Sequence, residues 1–280
     1  MNSLLNAIAA EFAKILTTRL WWILALVLFG YIGLLAGGLA ALFSGIQSSA
    51  ISPDVAVTTG GVIPDVTILP PLIYSFASSV GYVFPVLIGA LATTGEFRHQ
   101  TLTPTFLASP RRGHVLGAKV VALFVVGGFF GVVALAASVG IGAPAMNAFD
   151  VDPMLADAAT WWLIGRTVLA MGLWAIIGVG LGVLVPSQVA SIVIVLAFTQ
   201  FVEPLLRLAA SFLEMTARIG NFLPGAASDT LVGASVFSMM SATDAAVDSL
   251  DWWQGGLVLL AYALVATVGG YVVSWKRDVT

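Results

Sequence analysis

The chain has 280 residues, of which 59% are hydrophobic and only 9% are Asp, Glu, Lys or Arg, with a formal net charge of −3. Its mean hydropathy is +1.03, and its apolar share is well beyond the roughly 45–50% of soluble domains, which excludes an ordinary soluble enzyme or nucleic-acid-binding module. It contains no cysteine, so neither a disulfide nor a thiolate metal site is available.

Residues 1–19 open with an amphipathic pattern. Leu4, Leu5, Ile8, Phe12, Ile15 and Leu16 fall on one helical face, and Asn6, Glu11, Lys14 and Thr18 fall mainly on the other. That arrangement predicts a helix lying in a membrane interface, on the cytoplasmic side. No basic n-region and no small-residue cleavage pattern precede the first long apolar run, so no removable signal peptide is expected. A bilayer core about 30 Å thick takes roughly 20 consecutive apolar residues per spanning helix. Trp21–Phe43, Leu72–Thr94, Val115–Ile141, Leu163–Pro186 and Gly255–Ser274 meet that length, and Ser187–Leu206 is apolar until Glu203. The predicted fold is therefore an all-α integral membrane protein with six transmembrane helices in one domain, 1–280.

Between the second and third runs lies "GEFRHQTLTPTFLASPRRGH", residues 95–114, where Glu96, Arg98, Arg111 and Arg112 crowd together with both histidines, His99 and His114. An Arg or Lys at a helix centre costs about 2.5–3.5 kcal/mol on insertion scales, so this stretch belongs outside the bilayer, with Lys119 snorkelling back to its boundary. Thr103-Pro104 and Ser109-Pro110 each read as an N-cap followed by Pro at the first helical position, predicting a short loop helix and the start of the third span.

The charges are distributed unevenly. With a cytoplasmic N-terminus, the inner side holds Lys14, Arg19, Arg98, Arg111, Arg112, Lys119, Lys276 and Arg277, eight of the eleven basic residues. The outer segments hold Arg218, together with the acids Asp54, Asp65, Asp150, Asp152, Asp157, Glu214, Asp229, Asp244, Asp248 and Asp251. Excess Lys and Arg in short loops marks the cytoplasmic face, which predicts a multi-pass protein of the plasma (inner) membrane with both termini inside.

Small-residue pairs four apart, Gly33/Gly37, Gly127/Gly131 and Gly178/Gly182, suit close helix packing. Arg166, one turn past Trp161-Trp162, is expected to reach outward beside an aromatic belt. Glu203 and Arg207 stand four apart near the outer end of the fifth span, with Pro204 between them. The pair is either a self-neutralising contact, contributing about 0.3–0.5 kcal/mol, or part of a substrate pathway or gate, as ionisable groups near spans often are. The external segment 208–251 is too long for a simple turn and carries helix starts at Ser228-Asp229 and at Ser241-x-x-Asp244.

The Glu-x-x-Lys pair Glu11 and Lys14, and the run formed by Glu96, Phe97, Arg98, Thr101, Thr103, Pro110, Arg111 and Lys119, resemble the membrane subunit of a type-2 ABC (ATP-binding cassette) exporter, of the small six-span actinobacterial type. The resemblance is sharp over residues 95–119 and elsewhere consists of the six-span pattern. It implies that Glu11, Lys14 and loop 95–114 lie against a separate ATPase subunit. Two such ATPases, holding ATP and Mg, would rock two permeases, identical or homologous, between inward- and outward-facing states. It also implies short helices between the last two spans and a central pathway beside spans two and five. The chain has no Gly-x-x-x-x-Gly-Lys-Ser/Thr phosphate loop, so ATP hydrolysis is expected in the partner and no cofactor in this chain. His99 and His114 have only Glu96 nearby, which is too few ligands for zinc, and no protease or acyltransferase motif appears. The expected function is export of a hydrophobic or amphipathic drug, lipid or peptide, with no nucleic-acid partner. A membrane scaffold or assembly factor without a pathway is the alternative.

Overall fold

The computed structural model describes residues 2–52, 64–109, 111–210, 219–234 and 250–275. Among these, every regular element is helical. Six helices are long and apolar enough to cross a membrane: Leu20–Gln47, Leu69–Arg98, Arg112–Asn147, Ala158–Leu184, Gln188–Ala209 and Trp252–Trp275. They are called spans one to six below, and each overlaps the run anticipated for it. The chain is thus a multi-pass membrane protein.

Span four is the centre of the bundle and packs on spans two, three and six, while span one lies along span three and span five touches mainly span two. Close approach of these helices depends on glycine. A Cβ on Gly178 would run into the carbonyl of Val86, and one on Gly182 would meet Ala90 and Thr93, so spans two and four lie backbone to backbone. Gly127 and Gly131 give span three the same access to span four, and Gly33 and Gly37 receive Ile141.

Three spans depart from regular α-helix: spans two and five near a proline, and span six in a closing π-helix over Tyr271–Trp275. Span two consists of helices Leu69–Ser79 and Val83–Arg98 joined through Val80–Tyr82. Pro85 lacks the N–H that would bond the Gly81 carbonyl, and Phe84 N–H takes that carbonyl instead at 3.1 Å. Span five widens to a π-helix over Phe198–Val202, just before Pro204.

The N-terminal helix runs Asn2–Leu16, and Glu11, which its pattern places on the polar face, is turned inward. Glu11 and Ile15 are buried, whereas Leu4, Leu5 and Leu16 are exposed. Glu11 turns inward because a lysine of span three meets it there.

The loop helix exists, with its start displaced. It covers Leu102–Ala108, capped at Thr101, so Thr103-Pro104 falls inside its first turn. Ser109 is extended and span three begins at Arg112 behind Arg111; Pro110 lies outside the described residues. Gln100 sets the angle of the turn. It has φ 54, and the bonds Thr101 N–H to Glu96 O (3.1 Å) and Gln100 N–H to Phe97 O (3.3 Å) form a Schellman closure normally built on glycine.

In the segment between spans five and six, helix Pro224–Val232 begins on Pro224, so Ser228-Asp229 sits in its interior and does not start it. Gly233 closes this half-helix at φ 89. Ser241 and Asp244 lie outside the described residues.

Candidate functional sites

In a chain this poor in charge, two buried ionic clusters stand out, one at the loop-helix end of the bundle and one near the middle of spans two, four and five. The first gathers around the N-terminal helix. Lys119, 2% exposed despite its expected snorkelling, donates to Glu11 Oε2 at 2.6 Å and approaches Glu96 Oε1 at 3.2 Å. Lys14 donates to Glu11 Oε1 at 2.6 Å and to Glu96 Oε1 at 2.7 Å. Two carboxylates and two ammoniums therefore alternate in a neutral ring that joins the N-terminal helix, the end of span two and the start of span three. Lys119 stays inside because the ring replaces its hydration; a single lysine there would have to reach out to water.

Burial alone would push the Glu11 carboxyl up, but the Lys119 and Lys14 ammoniums outweigh it and hold Glu11 below its ordinary value. Burial likewise works against the Lys14 ammonium, and the charges of Glu96 and Glu11 raise it above its ordinary value. Glu96 Oε2 is buried without a hydrogen-bond partner among the described residues.

Beside the ring an aromatic box fixes the loop helix. Trp275, 1% exposed at the end of span six, stands edge-on to Phe97 at 6.0 Å and to Phe106 at 5.5 Å. Its indole N–H donates to the Arg112 carbonyl at 3.1 Å, and the Arg112 guanidinium lies 5.0 Å over Phe106. Arg98 donates to Gln188 Oε1 at 2.8 Å, tying span two to the start of span five.

The predicted loop residues thus divide into two sets. Glu11 and Glu96 are buried and Lys14 and Phe97 half-buried, all holding the loop in place; Arg98, Thr101, Thr103 and Arg111 face outward. Leu107, unremarked in the sequence, is 80% exposed on the loop helix. His99 and His114 are exposed too, and among the described residues no three His, Asp or Glu side chains gather as metal ligands.

The second cluster lies near the middle of spans two, four and five. Glu203 and Arg207 do pair, with Nη2 to Oε1 at 3.1 Å, yet the shorter contact of Arg207 is Nη1 to Asp229 Oδ2 at 2.7 Å. Asp229 also accepts from Ser79 Oγ of span two at 2.8 Å. The N–H of Gly225, near the start of the half-helix, donates to Glu203 Oε1. Tyr82 donates to the Thr199 carbonyl in the π-helix at 3.2 Å and stacks on Trp174 at 4.4 Å. The Trp174 indole in turn donates to Ser228 Oγ at 3.0 Å. Spans two, four and five and the half-helix are therefore knitted together where the span-two kink and the π-helix meet. Asp229 was anticipated only as an outer acid and a helix start, and Ser79, Tyr82 and Trp174 escaped the sequence reading.

Arg166 holds its guanidinium 4.6 Å over the ring of Trp252 in span six, not beside its own Trp161-Trp162, which are exposed. No family model and no curated protein matches this chain.

Proposed function

We propose that the chain is the permease subunit of an ATP-driven exporter, working as a pair of permeases with two copies of a separate ATPase, both termini on the cytoplasmic side. The observation that carries this reading is the loop helix Leu102–Ala108. It presents Leu107 almost fully to solvent while its base is fixed by a buried ion ring and an aromatic box. A topogenic basic loop needs charge but no such foundation. A rigid knob with one apolar tip and a polar rim of Thr101, Thr103 and Arg111 has the composition of a docking element for a soluble protein.

The ring also suits this role. Motion imposed on the loop helix reaches spans two and three and the N-terminal helix together, because the ring binds all three through shared ion pairs. Leu4, Leu5 and Leu16, exposed along the N-terminal helix, suit contact with the edge of the bilayer. A hydrophobic or amphipathic substrate is in keeping with the apolar spans; ATP and Mg belong to the partner.

Affinity purification of the full chain in mild detergent, from its native host, tests the reading. Co-purification of a subunit with a phosphate-binding loop, lost on Leu107→Asp while the variant melts like the parent, supports it. Retention of such a subunit by Leu107→Asp, or recovery of the chain with assembly partners and no ATPase, favours the scaffold.

A further inference from the structure

We propose that Arg166 binds the phosphate of a membrane phospholipid, in the leaflet at the end of the bundle opposite the loop helix. Among the described residues, the Lys and Arg side chains that are partly or wholly buried are Lys14, Arg112, Lys119, Arg166 and Arg207. All but one donate to an acceptor within the chain. Lys14 and Lys119 reach Glu11, Arg207 reaches Asp229, and Arg112 reaches the Trp275 carbonyl. Arg166 reaches no acceptor among the described residues; its guanidinium lies 4.6 Å over the ring of Trp252. Its Nη1 is also close to Gly233, at the C-terminal end of the half-helix. That helix end attracts a cation, yet none of its carbonyls takes an Arg166 N–H.

The level of this cation in the bilayer follows from its neighbours. Span four meets Ala90 and Thr93, close below the loop helix, through Gly182, so its Ala158 end lies at the opposite side. Its 27 residues extend about 40 Å, longer than a hydrocarbon core of about 30 Å. Arg166 therefore starts near the core boundary, and its long side chain carries the charge toward the surface. Trp252 is the first residue of span six, and it and Trp253 are exposed there, as Trp161 and Trp162 are in span four. Exposed indoles at span ends settle among lipid headgroups. Lying on Trp252, the guanidinium is held at that same level, between spans four and six.

The chemistry of the site selects a phosphate. An aromatic ring attracts the charge of a guanidinium but offers it no oxygen, so the N–H donors of Arg166 stay unused within the chain. A phosphodiester presents two anionic oxygens that match the guanidinium fork, and a guanidinium sheds its weakly held water for them readily. The bilayer supplies that anion at headgroup depth, and basic pockets between spans are where lipid headgroups bind. The indole N–H groups of Trp252 and Trp253 have no acceptor among the described residues either. They are placed to donate to the same headgroup or to the ester oxygens beneath it.

Native mass spectrometry of the purified full chain in a neutral detergent tests the proposal, with phosphatidylglycerol as the probe and diacylglycerol of the same acyl chains as its phosphate-free counterpart. The tightest phosphatidylglycerol should bind the parent about tenfold more strongly than Arg166→Gln, and diacylglycerol should bind the two alike. Arg166→Lys, which keeps the charge and loses the fork, should fall between them. Arg19→Gln removes an exposed cation at the loop-helix end and should bind as the parent does. Equal binding by the parent and Arg166→Gln overturns the proposal. So does an equal loss in Arg19→Gln, which would reduce the effect to general attraction between a basic surface and an anionic lipid. Displacement of the lipid by inorganic phosphate would make this a site for a free anion, and failure of Arg166→Gln to fold would show that the chain itself uses the cation; either result overturns it as well. The readout involves neither an ATPase nor a transported substrate, so its outcome is separate from that of the permease reading.

Discussion

Glu11 and Lys119, 108 positions apart in the sequence, meet at 2.6 Å with both side chains almost wholly buried. One lies on the N-terminal helix and the other a little inside span three. Their contact makes an otherwise peripheral helix an integral part of the bundle. Removing one partner should cost about 3–5 kcal/mol, the range for stranding a buried charge. Glu11→Ala and Lys119→Met are each expected to lower the melting temperature in detergent, and the double variant to recover most of the loss. Additive losses would show that the two residues contribute separately.

The same ring gives the docking of the N-terminal helix a defined pH window. Glu11 is held below its ordinary value of 4.5, so its contribution is present above that pH and is lost as pH falls through the lower folded-state value. Lys14 is held above its ordinary value of 10.5, so its contribution is present below that pH and is lost as pH rises through the higher folded-state value. Protection of residues 2–16 against proteolysis should be flat across the neutral range and fall at both extremes. Glu11→Gln should lack the fall at the acid end.

Much of this architecture was legible in the sequence because a bilayer imposes a length rule: each apolar run of roughly 20 residues became one span. The glycine pairs likewise landed on helix contacts, since only glycine lets backbones approach so closely. The sites were less legible, because hydropathy treats every charge as a reason to face water. Glu11 and Lys119 violate that rule together, and a pairing across 108 positions leaves no periodicity to read. The local pattern put Glu11 on the polar face of the first helix; the tertiary ion pair turns it inward, while Leu4, Leu5 and Leu16 stay exposed. Trp275 in the aromatic box carried no signal beyond its position at the end of a span.

Orientation can be tested directly, since the chain has no native cysteine. Cysteines introduced at Ser49 and Ala156, both exposed at the end opposite the loop helix, should react with an impermeant thiol reagent in intact cells. One at Thr103, exposed on the loop helix, should react only after the membrane is opened. The expectation rests on eight of eleven basic residues lying on the predicted inner side. Labelling of Thr103→Cys from outside would remove the loop from reach of any cytoplasmic ATPase.

Gln100 occupies the left-handed region at φ 54, where a side chain is uncommon. Gln100→Gly should relieve this local strain, within about 1 kcal/mol of the parent in stability. Gln100→Val should be clearly worse, because a β-branched residue resists that conformation. Thermal melts of the two variants should fall in that order. Equal melts would mean that the turn does not set the position of the loop helix.

The second cluster makes a prediction that a simple Glu203–Arg207 pair does not. If opposite charges four apart were the whole of it, the coupling between these two residues would dominate and Asp229 could be replaced freely. The geometry says otherwise: Arg207 reaches Asp229 at 2.7 Å and Glu203 at 3.1 Å, and Asp229 alone also holds span two through Ser79. Double-mutant cycles with Arg207→Gln, Asp229→Asn and Glu203→Gln, read as unfolding free energies in detergent, separate the two cases. The Arg207–Asp229 coupling should reach about 2 kcal/mol, within the range for residues sharing one ionic network. The Arg207–Glu203 coupling should be smaller, because Arg207 makes its shorter contact with Asp229. A larger coupling to Glu203 than to Asp229 would make the i,i+4 pair the dominant contact and leave Asp229 as a helix-interior polar residue bonded to Ser79.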